Sequence, residues 1–201
     1  EGGGLGSFKP EEVGPVSVQR ANGVIDCVVK DEQEGAALAK KLMGYFQGEI
    51  TDWTCEDQRW LRRAVPENRL HAYDMRHLIN VFADTDSVVE LRPDFAPGMI
   101  TAFVRVEGRP LGLIANDPKV LGGAIDAAGA DKASRFMQLC DAFSVPMVSF
   151  CDTPGFMVGP DIEAQAQVRH VCRLFVVAAH LSVPFFAVVL RKGYGLGAQA
   201  M

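Results

Sequence analysis

The sequence has no CxxC pair, and its five cysteines (Cys27, Cys55, Cys140, Cys151 and Cys172) are odd in number. That excludes a zinc ribbon and a disulfide framework, and it points to a reducing, cytoplasmic setting. Surplus positive charge is lacking too: 20 Lys and Arg stand against 25 Asp and Glu, a net charge of −5. An acidic balance gives no whole-molecule attraction to phosphate backbones, so nucleic acid is not an expected partner. Long uninterrupted apolar runs are absent as well. The nearest one, residues 171–190, carries Arg173, His180 and Pro184, and Ser182-Val183-Pro184 divides it into a helical and a strand-like half. No membrane span is predicted from it. No signal peptide is visible. The chain starts at Glu1 and stops at Met201 within a helix-start pattern, so it reads as a segment of something longer.

Familiar catalytic signatures are missing: there is no G-x-S-x-G, H-E-x-x-H or P-loop. The histidines are scattered. His170 and His180 share one helical stretch, where each reads as a packed or surface residue. The Asp161/Glu163 pair reads as compensation of a helix dipole. No metal site is predicted.

What is present is the composition of an ordinary globular chain, 48% hydrophobic and 22% charged over 201 residues. Residues 1–23 read as loop and 23–29 as a short strand. Asp31 and Glu34 suggest a capping box opening a helix to about residue 46, with Lys40-Lys41 near its end. Residues 48–68 hold Trp53, Trp60, Arg59, Arg62 and Arg63, and are the best candidate boundary between two substructures. A helix over 73–82 and a strand over 87–91 follow. Strands 100–106 and 111–115 are joined by the tight link Glu107-Gly108-Arg109-Pro110.

After a glycine-rich loop (120–129), Ala133, Phe136, Met137 and Cys140 recur at helical spacing. A strand at 146–151 leads into the loop 152–156. The next helix, 161–181, is expected to bury Val168, Val171, Cys172, Phe175, Ala178 and Ala179. A strand at 185–190 ends in a glycine turn at 193–197. The apolar strands 145–150 and 185–190 suit parallel strands covered on both faces. A hairpin followed by helix and parallel strands predicts stacked ββα units, an α/β architecture, rather than a doubly wound sheet.

Chemistry is best sought in Arg191-Lys192-Gly193-Tyr194-Gly195-Leu196-Gly197-Ala198, which follows a buried strand and opens a helix. Glycine lets a ligand approach the backbone, and the first N–H groups of a helix lack internal partners. Such a turn can cradle a pyrophosphate, form an oxyanion hole, or be a plain strand-to-helix turn.

The runs YDMRHLI, FVRVEGRPLGLIANDPKVLGGAID, RFMQLCDAFSVPMVSFCDTPGFMVG and RKGYGLGAQAM resemble the carboxyltransferase (beta) subunit of biotin-dependent acyl-CoA carboxylases, the acetyl-, propionyl- and methylcrotonyl-CoA enzymes. The resemblance runs from about residue 73 to 201, and residues 1–48 look like the tail of that family's first half. It implies a truncated crotonase-like fold. Residues 1–66 would be the end of the acyl-CoA half plus linker, and 67–201 the biotin-side half. It implies transfer of a carboxyl group from N1-carboxybiotin, held on a carrier protein, to the α-carbon of an acyl-CoA. The backbone amides of Leu196 and Gly197 would hold the biotin oxygen, with Gly195 just before them. No protein base is then required, since biotin itself can take the α-proton. Asn116, Pro154, Gly155 and Phe156 resemble positions lining the same cleft. Gln199 stands where the family often has Asp, a position that influences acyl-chain choice. The implied partners are biotin carboxylase, biotin carboxyl carrier protein and further copies of the subunit in a dimer or higher oligomer. Two other readings stay open: the carboxyltransferase subunit of a biotin-dependent acyl-CoA decarboxylase, and a non-catalytic crotonase-like assembly module.

Overall fold

The computed structural model describes residues 3, 4 and 6–201; residues 1, 2 and 5 of the expected N-terminal loop lie outside the described residues. The rest of that stretch is not all loop: a short helix α1 forms at Val16–Ala21. No strand forms at 23–29. That segment finds a single backbone partner in the sheet-side loop, with Arg92 N donating to Asp26 O at 2.7 Å, and one backbone bond is not a ladder. Helix α2, Glu32–Gly44, starts where Asp31 caps it by accepting from the Glu34 amide. Beyond it, Tyr45 stacks on Phe103 at 5.3 Å and Phe46 meets the same ring edge-on, which ties this segment to the sheet.

Residues 48–68 begin beside the hairpin, where Ile50 N donates to Gly108 O, and then form a 3-10 turn at Gln58–Arg63 that packs against the next helix. Helix α3, Met75–Phe82, is capped by Asp74 and buries Met75, Leu78, Ile79 and Val81. Strand β1 is only Val89–Glu90, shorter than expected because it pairs at just these positions with β2, Met99–Val106. The β2–β3 hairpin (β3, Arg109–Asn116) closes with Glu107 and Gly108 both at positive φ, 51° and 78°. That is the requirement of a two-residue hairpin turn. Gly108 is needed twice over, since a Cβ there would collide with the Ile50 carbonyl.

Helix α4, Ala127–Ala142, opens with Asp126 accepting from Gly129 N, and buries Ala133, Phe136, Met137 and Cys140 as their spacing predicts. Strand β4 is Met147–Thr153 and β5 is Phe185–Gly193. The sheet has five strands in the order β1-β2-β3-β4-β5, antiparallel through β3 and parallel from β3 to β5. One face packs Phe103, Ile114 and Met147 against α4 and the helix before β5. The other packs Ile100, Leu113, Val148 and Phe150 against α3.

Two expectations about the C-terminal third are corrected. The helix expected at 161–181 is broken into α5, Pro160–Ala164, and α6, Gln167–His180, because Ala166 turns left-handed at φ 59°. The break resets the helical phase: α6 packs against α4 and buries Val171, Leu174 and Val177, while Gln167 donates to Ile125 O at 3.0 Å. Of the residues expected inside, only Val171 is buried; Phe175 is half-buried, and Val168, Cys172, Ala178 and Ala179 are exposed. Strand β4 is buried throughout, as expected, but β5 is not covered on both faces. It is an edge strand, with β4 as its one neighbour among the described residues, and leaves Phe186 66% and Val189 61% exposed.

Candidate functional site

The glycine turn, the 152–156 loop and Asn116 all lie at the carboxyl ends of β3, β4 and β5. Parallel strands of consistent direction bring their C-terminal loops together, which is why ligands of such sheets gather there. After β5, Tyr194 N donates to Thr153 O at 3.2 Å and the chain enters α7, Gly195–Ala200. Gly195 has φ +60° with open space around it, so conformation alone asks for glycine. Gly197 is held by contact. A Cβ there would lie 2.7 Å from Gly155 Cα and C and 3.0 Å from Phe156 N. The loops after β4 and β5 are thus seated backbone on backbone.

The β4 loop is itself fixed. Gly155 N donates to Thr153 Oγ1 at 3.1 Å, and Gly155 O accepts from Ile125 N at 3.0 Å. Gly155 has φ +123°, and Phe156 pairs with Ile125 in a bridge and meets Phe175 edge-on at 6.1 Å. Pro154 is exposed beside them. Asn116 is fully buried, accepting from Asp152 N at 3.1 Å and donating toward Met201 Sδ at 3.7 Å, so it links β3, β4 and the end of α7. The amides of Leu196 and Gly197 make no hydrogen bond among the described residues, as first-turn amides do when nothing caps them. The Leu196 side chain is 63% exposed and Gln199 is exposed on the same short helix. The structure therefore joins Gly155, Phe156 and Gly197 directly, places Asn116 beneath them, and leaves Pro154, Leu196 and Gln199 facing outward.

Sequence reasoning missed the charged cluster under this turn. Asp152, with no exposed side-chain surface, accepts from the Tyr73 hydroxyl at 2.9 Å and is ion-paired with Arg191 Nη2 at 3.2 Å and Lys192 Nζ at 3.6 Å. Arg191 also lies over the Tyr73 ring at 5.0 Å and donates to His71 O at 2.7 Å, and Lys192 Nζ donates to Gly122 O at 2.6 Å. Burial, then the bond and charge of Asp152, hold the Tyr73 phenol well above its ordinary range. A signal was available: a lone carboxylate ending an apolar strand, and two adjacent cations ending the next.

The remaining titratable groups fit structural roles. Burial raises the Cys140 and Cys151 thiols, which keeps them protonated and unreactive. His170 pairs with Asp131 and His180 with the Val176 carbonyl of its own helix. Among the described residues no group of three or more His, Cys, Asp or Glu could hold a metal ion, and no helix is long and apolar enough to cross a membrane.

This arrangement has close counterparts. The carboxyl transferase domain family matches residues 8–201. The propionyl-CoA carboxylase beta chain of Roseobacter denitrificans is 32% identical over 92% of this chain, and the methylmalonyl-CoA decarboxylase subunit alpha of Veillonella parvula is 33% identical over 94%. The chain spans 38% and 39% of the lengths of these two relatives. Among solved structures, a single-chain, multi-domain long-chain acyl-CoA carboxylase superposes with a TM-score of 0.96 at 55% identity, covering 99% of this chain and 20% of that one. The transcarboxylase 12S hexamer, solved with methylmalonyl-coenzyme A bound, superposes with a TM-score of 0.87 at 32% identity over 98% of this chain and 40% of its own. Its mixed sheet is the crotonase-like fold of these carboxyltransferase domains. With a family match over nearly its whole length and relatives above 30% identity, the chain belongs to the carboxyl transferase family of biotin-dependent acyl-CoA carboxyltransferases.

Proposed function

We propose that this chain supplies the biotin-facing part of a site that moves a carboxyl group from N1-carboxybiotin, on a carrier protein, to the α-carbon of an acyl-CoA. The observation that carries this reading is the unpaired Leu196 and Gly197 amides at the start of α7, on a turn seated against Gly155. Backbone donors held rigidly cost no reorganisation when charge develops, and each is worth about 10²–10³ in rate. The fit to a biotin ureido oxygen rests on two N–H donors without partners among the described residues and on Gly195, which has open space around it, while Gly197 itself is buried against Gly155 and Phe156. Carboxybiotin, when bound, supplies the carboxyl group. This chain's residues bind and orient the ureido oxygen and leave the α-proton to the substrates, which accords with a Cys151 thiol that burial keeps protonated and with His170 and His180 engaged elsewhere, on Asp131 and the Val176 carbonyl.

In this reading residues 1–66 close the acyl-CoA half and its linker, and 67–201 form the biotin-side half. Biotin carboxylase, the biotin carrier and further copies of the subunit are the partners. The propionyl-CoA carboxylase and methylmalonyl-CoA decarboxylase relatives are matched at 32% and 33% identity, which keeps a decarboxylase as the second reading.

The test is transfer between a carboxylated acyl-CoA and free biotin. The 201-residue chain alone should be inactive, and activity should appear once an acyl-CoA-binding half completes the site, since orientation of two substrates supplies much of such a rate. Absence of transfer in the completed assembly would overturn the proposal. Association of the assembly with a membrane decarboxylase subunit rather than with a biotin carboxylase would move it to the decarboxylase.

A further inference from the structure

The ends of β4 and β5 do not run in register. Cys151 pairs with Val189 and the next pair is Thr153 with Gly193, so Leu190, Arg191 and Lys192 stand opposite the single residue Asp152. Bulges of this kind re-aim the chain and leave backbone groups without ladder partners. Here a side chain takes the partner's place: Lys192 N donates to Asp152 Oδ1 at 3.2 Å. The same carboxylate receives the side chains of Arg191 and Lys192 and the Tyr73 hydroxyl, while its own amide is held by Asn116. One residue further on, Thr153 O accepts from the amide of Tyr194, the residue immediately before α7.

We infer that Asp152 is a positioning residue: its carboxylate sets the β5 bulge, and through it the aim of the Leu196 and Gly197 amides. This rests on the oxyanion reading above, because Asp152 acts through the turn and touches no reacting atom. Stability alone is a poor account of the group. A fully buried carboxylate with two cations is commonly matched or bettered by apolar packing of the same volume. Its contacts also converge on the bulge residues Arg191 and Lys192, with Tyr73 as the third support. Tyr73 and Arg191 brace each other through the ring contact, so carboxylate, guanidinium and phenol form a closed triangle behind the turn. Four consecutive residues, 191–194, are thus tied to Asp152 and Thr153 before the glycine turn begins.

The test compares Asp152→Asn and Tyr73→Phe with the parent by two readouts. Amide hydrogen exchange of Tyr194 and Ala198, whose N–H groups donate to Thr153 O and Tyr194 O on either side of the turn, should in the 201-residue chain quicken by about tenfold in Asp152→Asn and by less in Tyr73→Phe, with exchange in α3 and α4 unchanged. In the completed carboxyltransferase, kcat per folded enzyme well below the unfolding temperature should fall by up to about 10²-fold, with KM for biotin and for the acyl-CoA little changed. A merely structural role would lower the melting temperature and leave kcat per folded molecule intact. Turn exchange equal to the parent's in both variants, or faster exchange with unchanged kcat, overturns the inference. Should Asp152→Asn fail to fold, Tyr73→Phe, which removes one hydroxyl, decides by the same criteria. If the parent assembly itself transfers no carboxyl group, the functional reading is what fails, and exchange in the chain alone still shows whether Asp152 holds the turn.

Discussion

A single methyl group at Gly197 should separate the turn's shape from its side chains. The Cβ of Gly197→Ala would sit 2.7 Å from two backbone carbons of Gly155. Carbon pairs prefer about 3.5 Å or more, so one of the two loops must retreat by roughly 0.8 Å. Neither can rotate away as a side chain would, because Gly155 is bonded on both sides, to Thr153 and to Ile125. Overpacking of this kind costs about 1–3 kcal/mol, or some 2–4 °C in Tm per kcal/mol for a chain of this size. The effect on rate should be larger than that suggests. A misplacement near 1 Å can cost about 10²-fold, and the Gly197 amide is one of the two donors of the proposed oxyanion site. Gly195→Ala is the conformational control: it meets open space but must adopt φ +60°, at roughly 1–2 kcal/mol. Leu196→Ala removes a side chain that is 63% exposed, and should stay within about 0.5 kcal/mol and close to parental activity. Thermal unfolding of the chain and steady-state kinetics of the completed enzyme measure both quantities. The expected pattern is a kcat loss in Gly197→Ala, not confined to KM for biotin, and near-parental Leu196→Ala. Equal activity in these two variants would refute the amide assignment.

Phe103 is 1% exposed among the rings of Tyr45, Phe46 and Phe136; Phe103→Ala should lose about 3–5 kcal/mol by urea unfolding, and a loss below about 1 kcal/mol would contradict this core. Burial lowers the Lys132 pKa to about 8, with its ammonium donating to Phe95 O at 2.9 Å. Between that value and the ordinary lysine range the unfolded chain binds a proton that the folded chain has released, so this group adds stability as pH rises. The raised thiols of Cys140 and Cys151 tilt the opposite way; the readout is therefore the difference in pH slope between parent and Lys132→Met from about pH 8 to 10, and identical slopes would refute it. The uncovered β5 edge, with Phe186 66% and Val189 61% exposed, should make the chain self-associate. Sedimentation velocity over a dilution series should show this, with Phe186→Lys shifting the population toward monomer, and a single monomeric species of the parent at high concentration would count against it.

Much of this protein was legible in local sequence because local energetics decide it. The cap Asp31, read from the sequence, satisfies the amide three residues on, as Asp74 and Asp126 also do in the structure, and the Ala133–Phe136–Met137–Cys140 stripe needs only helical geometry to share a face. The hairpin link at Glu107-Gly108 and the apolar β4 strand follow from the same short-range rules. The glycine turn could be located from sequence too, since a bare backbone after a buried strand is visible in any ten-residue window. Tertiary structure alone decided the rest. An apolar run such as 185–190 reads the same whether it has one neighbouring strand or two, so the exposure of β5 depends on sheet order. The phase of α6 turned on one left-handed residue, Ala166, and on the α4 stripe it met. The Asp152 cluster joins Tyr73 to a carboxylate 79 positions away. No periodicity encodes that distance, and only the packing of α3 beneath the ends of β4 and β5 creates the contact.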